Sequence, residues 1–529
     1  MKGREKSDGR VVPQAGRKTG SIDAGRGGKA TTARETTEQL QLAFETADSP
    51  QGDVAGADRG GPPSAPSAVP KSNDTSEVPP SPATTATMET IATRSNLVRS
   101  WLHVAANDGA AGPDKQSIES IRRGIDEVLE TLRRELLAGS YRPGNIRRVW
   151  IPKASGGERG LGIPNVIDRI VQQAVHQVLS PLYEPGFHPS SHGFRPGRSC
   201  HTAIAEAQQH LQKGYAWVVD LDLEKFFDRV HHERLLARLG ARVSDERVLA
   251  LIRQMLKAKV VMPDGVIVAT EEGTPQGGPL SPLLSNIVLD ELDQELERRG
   301  HCFVRYADDC NIYVRSERAG QRVMASVTRF LESRMRLTVN RAKSAVARPG
   351  GRHFLGFGLR RNADDRTADV FLSKRSKERI DTRIRQLVPR TWGQSVDDCI
   401  RRLNGYLAGW INFFRVCTAA ATFAALDGHI RRRLRALLLK QWKRRGTIVQ
   451  RLVRLGAKPN DAWMCVRKGN RSWWALSHTP AVDNTLTSRH FRKRGLLSLE
   501  QRWKELRKKK REEPDPVQLT LTGTSASVS

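Results

Sequence analysis

The chain runs to 529 residues, enough for two or three domains with cores of their own. Its 87 lysines and arginines against 57 aspartates and glutamates leave a formal charge of +30, which solubility alone does not demand and which suits a protein held against a polyanion, nucleic acid above all. No apolar stretch after Met1 reads as a secretion signal and no run reaches the ~18 apolar residues of a membrane span, so a cytoplasmic protein with no membrane partner is expected. Six scattered cysteines without a Cys-x-x-Cys pair read as reduced thiols, not as a zinc site.

Residues 1–95 are rich in Gly, Ser, Thr, Ala and Pro and hold almost no large apolar side chains beyond a patch at Leu40, Leu42 and Phe44. Such a segment buries too little surface to offset its ordering entropy, and a disordered low-complexity extension is predicted. Order is expected from about Asn96. Asp114 is a candidate cap for a helix carrying Ile118, Ile121, Ile125, Val128, Leu129, Leu132 and Leu136, with Gly139 ending it. Arg147 to Lys153 reads as a strand that turns through Gly156-Gly157 into Arg159-Gly160-Leu161-Gly162-Ile163-Pro164. Such a hairpin would set Lys153 and Arg159 side by side, fit to grip a triphosphate, although each alone also suits a solvated surface. Asn165 is a candidate cap for the next helix, and Ser191-His192-Gly193-Phe194-Arg195-Pro196-Gly197-Arg198-Ser199 is a basic, glycine-punctuated loop.

Tyr215 to Val219 reads as a buried strand that delivers Asp220 and Asp222 at its C-terminal end, followed by Phe226-Phe227. In Thr274-Pro275-Gln276-Gly277-Gly278-Pro279-Leu280-Ser281-Pro282, Ser281-Pro282 is a capped helix start, the paired glycines would let backbone approach a substrate, and Gln276 offers donor and acceptor together. Phe303 to Val314 alternates apolar and other residues on either side of Ala307-Asp308, the pattern of a β-hairpin with Asp308 and Asp309 at its apex. A bare Asp-Asp pair also suits a polar turn. With a third acid facing it from the upstream strand, the pair becomes a set of hard oxygen ligands for Mg2+, the minimum for two-metal nucleotidyl transfer.

Val323 to Met335 reads as a helix, and Leu337 to Ser344 with Phe354 to Phe357 as strand and turn pieces closing the same domain. The intermixed helices, strands and hairpins make the class α+β. From about 375 the chain turns helical and basic. Arg431, Arg432, Arg433, Arg435, Lys440, Lys443, Arg444 and Arg445 fall in one run with no acid, which favours an RNA-facing surface over a solvated face. The chain closes with a basic helix, Trp503 to Arg511, and a polar tail, 512–529.

These runs together resemble the bacterial group II intron-encoded proteins, reverse transcriptases with a maturase domain. The resemblance covers about 96–510 and rests on Ile151-Pro152-Lys153 with Arg159 to Pro164, Gly193 to Ser199, the Asp222 strand, Pro275 to Pro282, Tyr306-Ala307-Asp308-Asp309, Phe354-Leu355-Gly356-Phe357, and Gly405 to Phe414. It implies a right-hand polymerase, fingers and palm over 96–360, an α-helical thumb or maturase domain over 375–450, and a basic DNA- or RNA-binding region over 451–511. It implies two Mg2+ ions, Mn2+ being an alternative, held by Asp222, Asp308 and Asp309; Asp222 is preferred to Asp220 because the family sets its metal acid four and five residues before the paired aromatics. By the same matching, Phe227 excludes ribonucleotides, Lys153, Arg159 and Gln276 hold the incoming nucleotide, and Lys343 lies near the leaving pyrophosphate. The implied partners are the parent intron RNA, an RNA template with a DNA primer, dNTPs and target DNA, in a nucleoid-associated ribonucleoprotein. The family's C-terminal endonuclease, with its His-Asn-His chemistry and cysteine pairs, has no match, so second-strand cleavage is not expected. The rival readings are a reverse transcriptase of phage defence or CRISPR adaptation, and a splicing factor without polymerase activity.

Overall fold

The computed structural model of the protein describes residues 86–152, 157–362, 367–389, 393–468 and 472–512. Most of the expected N-terminal extension, the polar tail and Lys153 lie outside these residues. Among the described residues helical order starts at Met88, eight residues before the expected Asn96. Thr87 caps a single turn there, and Met88 and Ile91 are buried, a pair of apolar residues too sparse to register as a period. The long helix expected after Asp114 is two helices, Ile118–Arg122 and Ile125–Ala138, broken at Gly124. Ser117, not Asp114, accepts the capping bond from the Ser120 amide, while Gly139 closes the second helix at φ +68° as expected.

Two four-stranded sheets follow. In the first, β1 (Ile146–Pro152) pairs antiparallel with β2 (Glu158–Ile163) and parallel with β4 (Val260–Val261), which carries β5 (Ile267–Val268) at the edge. The second has the order β6-β7-β3-β8, from Cys302–Tyr306, Asp309–Val314, Trp217–Leu221 and Ala345–Ala347, all antiparallel. Strand alternation splits its side chains between two cores. Val219, Leu221, Phe303, Cys310 and Ile312 face a core shared with the helices Val166–Tyr183 and Ser281–Arg298. Val218, Val304, Tyr306 and Tyr313 face a second core that continues into the C-terminal helices. The sheet carrying the acids therefore packs against a core on each face. The architecture is α+β: a fingers layer, a palm sheet and a helical thumb.

Several local expectations change. Ser281 is the first helical residue, not a cap; its hydroxyl donates to the Pro275 carbonyl at 2.7 Å and Pro282 occupies the first turn. The helix expected from Val323 begins at Glu317, capped by Ser316, and ends in a π turn, Leu331–Met335. Phe354 and Phe357 are buried in the second core beside Val218, Val304 and Tyr313 of the palm sheet. That segment turns into the β9 (Phe357–Arg361) and β10 (Ala368–Leu372) hairpin, a separate sheet in the second core. No helix among the described residues is long and apolar enough to cross a membrane.

Candidate active site

The β6–β7 hairpin closes through two residues, Ala307 and Asp308, with Tyr306 opposite Asp309. Ala307 sits at φ +55°, a left-handed conformation that a non-glycine residue adopts only under constraint. Asp308 is half-buried and Asp309 exposed. The register Asp220↔Asn311 and Leu221↔Cys310 brings the end of β3, one residue before Asp222, alongside the start of β7, so Asp222 emerges next to Asp309.

Asp222 is held from the other side by the turn Asn340 to Ser344. Its carbonyl accepts from the Asn340 amide at 2.8 Å and its amide donates to the Ser344 hydroxyl at 3.0 Å. That turn brings the Lys343 ammonium 3.6 Å from the Asp222 carboxylate. Asp220 is engaged elsewhere: Arg352 pairs with it at 2.5 Å and also donates to the Lys343 carbonyl. Burial raises the Asp220 carboxyl above the usual carboxylate range, and Arg352 offsets only part of that rise. One guanidinium thus fixes both the neighbouring acid and the lysine-bearing turn. The three candidate metal acids are carboxylates of the hard-oxygen kind that suits magnesium. Among the described residues no three His, Cys, Asp or Glu side chains are drawn together closely enough to hold an ion.

The nucleotide-side residues form a second cluster. Arg159 Nε donates to Gln276 Oε1 at 2.9 Å, joining two of the expected contacts directly. The Gly162 amide donates to the Gln276 carbonyl at 2.7 Å, and Gly277, at φ +124°, lies against the Gly162 carbonyl. The paired glycines therefore serve contacts within the protein: Gly277 lets the Gln276 loop lie on β2, and Gly278 lets it lie on the Gln172 side chain. Phe227 is buried, its ring edge-on to Phe226 at 5.2 Å, and its carbonyl accepts from the Thr274 amide two residues before Gln276.

Sequence reasoning missed the hub behind the hairpin. Arg305 is fully buried on β6. Its guanidinium makes a two-armed contact with Asp293, equally buried, at 2.7 and 2.5 Å, and reaches Asn286 at 3.0 Å, the Ser191 hydroxyl at 2.7 Å and the Ala307 carbonyl at 3.0 Å. Three elements are thereby pinned to the turn that carries Asp308: the Ser191 loop, the Ser281–Arg298 helix and β6. Glu206 steadies the same loop. Burial pushes its carboxyl up, but hydrogen bonds with His192 and Ser190, and His210 at 3.6 Å, outweigh that and hold it at about 2. The available signal was a lone arginine inside Phe303-Val304-Arg305-Tyr306, since a charge in a strand buried on both faces needs a partner.

Of the basic run, Arg431, Arg432, Arg433, Arg435 and Lys440 lie on the helix Ala420–Trp442, whose Ile430, Leu434, Leu437, Leu438 and Leu439 are buried in the second core, and Lys443, Arg444 and Arg445 follow its end. Arg435 is buried, ion-paired with Asp483 and bonded to the Leu486 carbonyl. Arg433 donates to the Val388 carbonyl at 2.7 Å and Arg432 lies 4.1 Å over the Trp474 ring. Arg431 and Lys440 are half-buried, leaving Lys443, Arg444 and Arg445 as the exposed cations of the set.

Comparison with known proteins agrees with this arrangement. Residues 151–359 match the family described as reverse transcriptase (RNA-dependent DNA polymerase), and 377–454 match the group II intron maturase-specific domain. The chain is 43% identical over 199 residues to Protein YkfC of Escherichia coli (strain K12), covering 37% of this chain and 51% of that one. It is 39% identical over 170 residues to the group II intron-encoded protein LtrA of Lactococcus lactis subsp. cremoris, covering 32% and 28%. It is 34% identical over 211 residues to the retron Mx65 reverse transcriptase of Myxococcus xanthus, covering 38% and 48%. The match thus spans about half the length of YkfC and less of the other two. The chain thus carries a match to a reverse transcriptase family followed by a match to the group II intron maturase-specific domain.

Proposed function

We propose that the protein is an RNA-directed DNA polymerase that also binds its parent group II intron RNA as a maturase, assisting splicing and retrohoming into target DNA. The observation that carries the polymerase reading is the β3–β7 register, which sets Asp222 beside the Asp308–Asp309 hairpin with Lys343 on one flank. Asp222, Asp308 and Asp309 would hold the metal ions, two Mg2+ being the expected pair. Divalent ions there would favour the ionised primer hydroxyl and neutralise the departing pyrophosphate. The remaining work falls to this chain's residues. Arg159 and Gln276, already bonded to each other, would receive the dNTP, with Lys153 expected on the same side. The primer 3′-oxygen attacks the α-phosphorus, the bond to the β-phosphate oxygen breaks, and pyrophosphate leaves past Lys343. Catalysis by positioning and charge neutralisation is enough, because the phosphoryl group asks little covalent chemistry of the protein. The buried ring of Phe227 would bar a ribose 2′-hydroxyl.

Primer extension on poly(rA)/oligo(dT) tests this reading, and Asp308→Asn should lower it by a factor on the order of 10³. Retained cDNA synthesis by that variant would overturn the site assignment, and Phe227→Ala should admit ribonucleotides. The likeness to a retron reverse transcriptase favours a second reading, a polymerase recruited to defence. The maturase-specific match over 377–454 weighs toward the intron role. A ribozyme flanking the reading frame would decide between them.

A further inference from the structure

Phe194 combines three properties that seldom occur together. It is exposed at 42%, its backbone is left-handed at φ +60°, and the residues on either side of it, Gly193 and Arg195, are held by hydrogen bonds. A bulky aromatic at positive φ is strained, and such strain survives only where the surroundings impose it. Here they do. The Gly193 carbonyl accepts from Asn286 Nδ2 at 2.8 Å, and Gly193 lies so close to the Ala307 backbone that a Cβ would overlap it. On the other side, the buried Arg195 guanidinium donates to Glu184 at 2.7 Å, to the His188 carbonyl at 2.7 Å and to the Ser191 carbonyl at 2.9 Å. The fold thus holds an apolar ring outward, 6.5 Å from the Tyr306 ring and beside the turn that carries Asp308.

Its side of the turn is informative. Tyr306 belongs to the second core, which continues into the thumb helices, whereas Phe227 belongs to the first, on the side of the Arg159–Gln276 pair. His201, seven residues on, bonds the Phe413 carbonyl at 2.6 Å and ties the same segment to the thumb. A strand growing at Asp308 must leave on the side opposite the nucleotide, which is the side of Phe194. We propose that Phe194 is a primer-positioning residue, its ring packing against the 3′-terminal nucleotide of the primer and holding that hydroxyl at the hairpin. This rests on the polymerase reading above.

The test uses the full chain with a fluorescent oligo(dT) primer on poly(rA). Phe194→Ala and Phe194→Gly should raise the Kd and KM for primer–template roughly five- to hundredfold, the range of lost aromatic stacking on one base. The KM for dTTP should move less than twofold, and Phe194→Trp should restore binding. Phe194→Gly should keep or raise the Tm, because glycine relieves the left-handed backbone. Unchanged primer–template Kd in both variants, a rise confined to the KM for dTTP, or a Tm fall in Phe194→Gly that accounts for the loss would each overturn the proposal. A wild-type chain that binds primer–template but never extends it defeats the polymerase reading instead, and the Kd comparison still judges Phe194.

Discussion

Two stretches dense in charge end in opposite surroundings. Asp308 sits in a two-residue turn, with Asp309 opening β7 beside it, at the end of a sheet that packs against a core on each face. The cations from Arg431 to Arg445 mostly sit on a helix that forms part of a core, and several point inward onto carbonyls, a carboxylate and an indole. An arginine on a core helix can be satisfied by partners within the protein, whereas the proposed role of the hairpin acids calls for a ligand from outside it. The difference gives measurable contrasts.

The largest effect should come from the turn. Asp308→Asn removes one negative charge at nearly constant shape, and primer extension should fall by a factor on the order of 10³, about 4 kcal/mol of barrier. Intron RNA binding, measured by filter retention, should stay within about twofold, since replacing this acid takes no cation from the RNA-facing surface. Comparable losses in both assays would mean that the hairpin acid is structural.

The buried hub comes next. Arg305→Met leaves Asp293 charged and unpaired with no solvent access, which should cost roughly 3–5 kcal/mol in urea unfolding. Arg305→Met with Asp293→Leu should recover much of that loss in stability, yet extension should remain impaired, because Ala307 has lost the donor to its carbonyl. Recovery of both together would reduce Arg305 to a stability element.

Within the basic segment, two kinds of cation should separate. Arg435→Met takes the donor from the Leu486 carbonyl and leaves the partly exposed Asp483 with His478 alone, and should cost about 1–2 kcal/mol, with little change in RNA affinity per folded molecule. Replacing Lys443, Arg444 and Arg445 together by alanine should leave unfolding within about 1 kcal/mol but lower the log–log salt slope of RNA binding by roughly 2. A triple variant with an unchanged slope would send the RNA-binding surface elsewhere.

The contrast also explains what was legible in the sequence. The palm hairpin, the β1–β2 hairpin, the Asp222 strand and the Gly139 helix end were readable because each follows from local chemistry: alternation, turn residues, a left-handed stop. The Arg159–Gln276 bond could be expected as a shared neighbourhood but not as a bond, for it joins residues 117 apart. Arg305 with Asp293 and Arg352 with Asp220 stayed hidden because burial, not residue type, turns a common surface ion pair into a keystone. Ser281 and Asp114 were misread as caps because a favoured residue near a helix start is no guarantee that its oxygen faces the free amides.

The smallest predicted effect lies one helical turn from the hub. Asp290 is half-buried, and Gln294 donates to one of its oxygens at 2.6 Å while the other has no hydrogen-bond partner. Burial raises its carboxyl to about 6, helped by the charge of Asp293 and opposed by Arg305, Arg238 and Arg242. Because the folded pKa lies above the unfolded one, the folded state binds the proton more tightly. Asp290 therefore weakens the fold above about pH 6, and its cost fades as the pH falls toward the ordinary aspartate range. Asp290→Asn keeps the bond from Gln294 and removes the charge. Urea unfolding should show it more stable than wild type by about 1–2 kcal/mol at pH 8, with the gain shrinking through pH 6 and nearly gone at pH 4. A gain that does not vary with pH would assign the improvement to packing; a loss at pH 8 would mean that the charge of Asp290 is needed by the arginines around it.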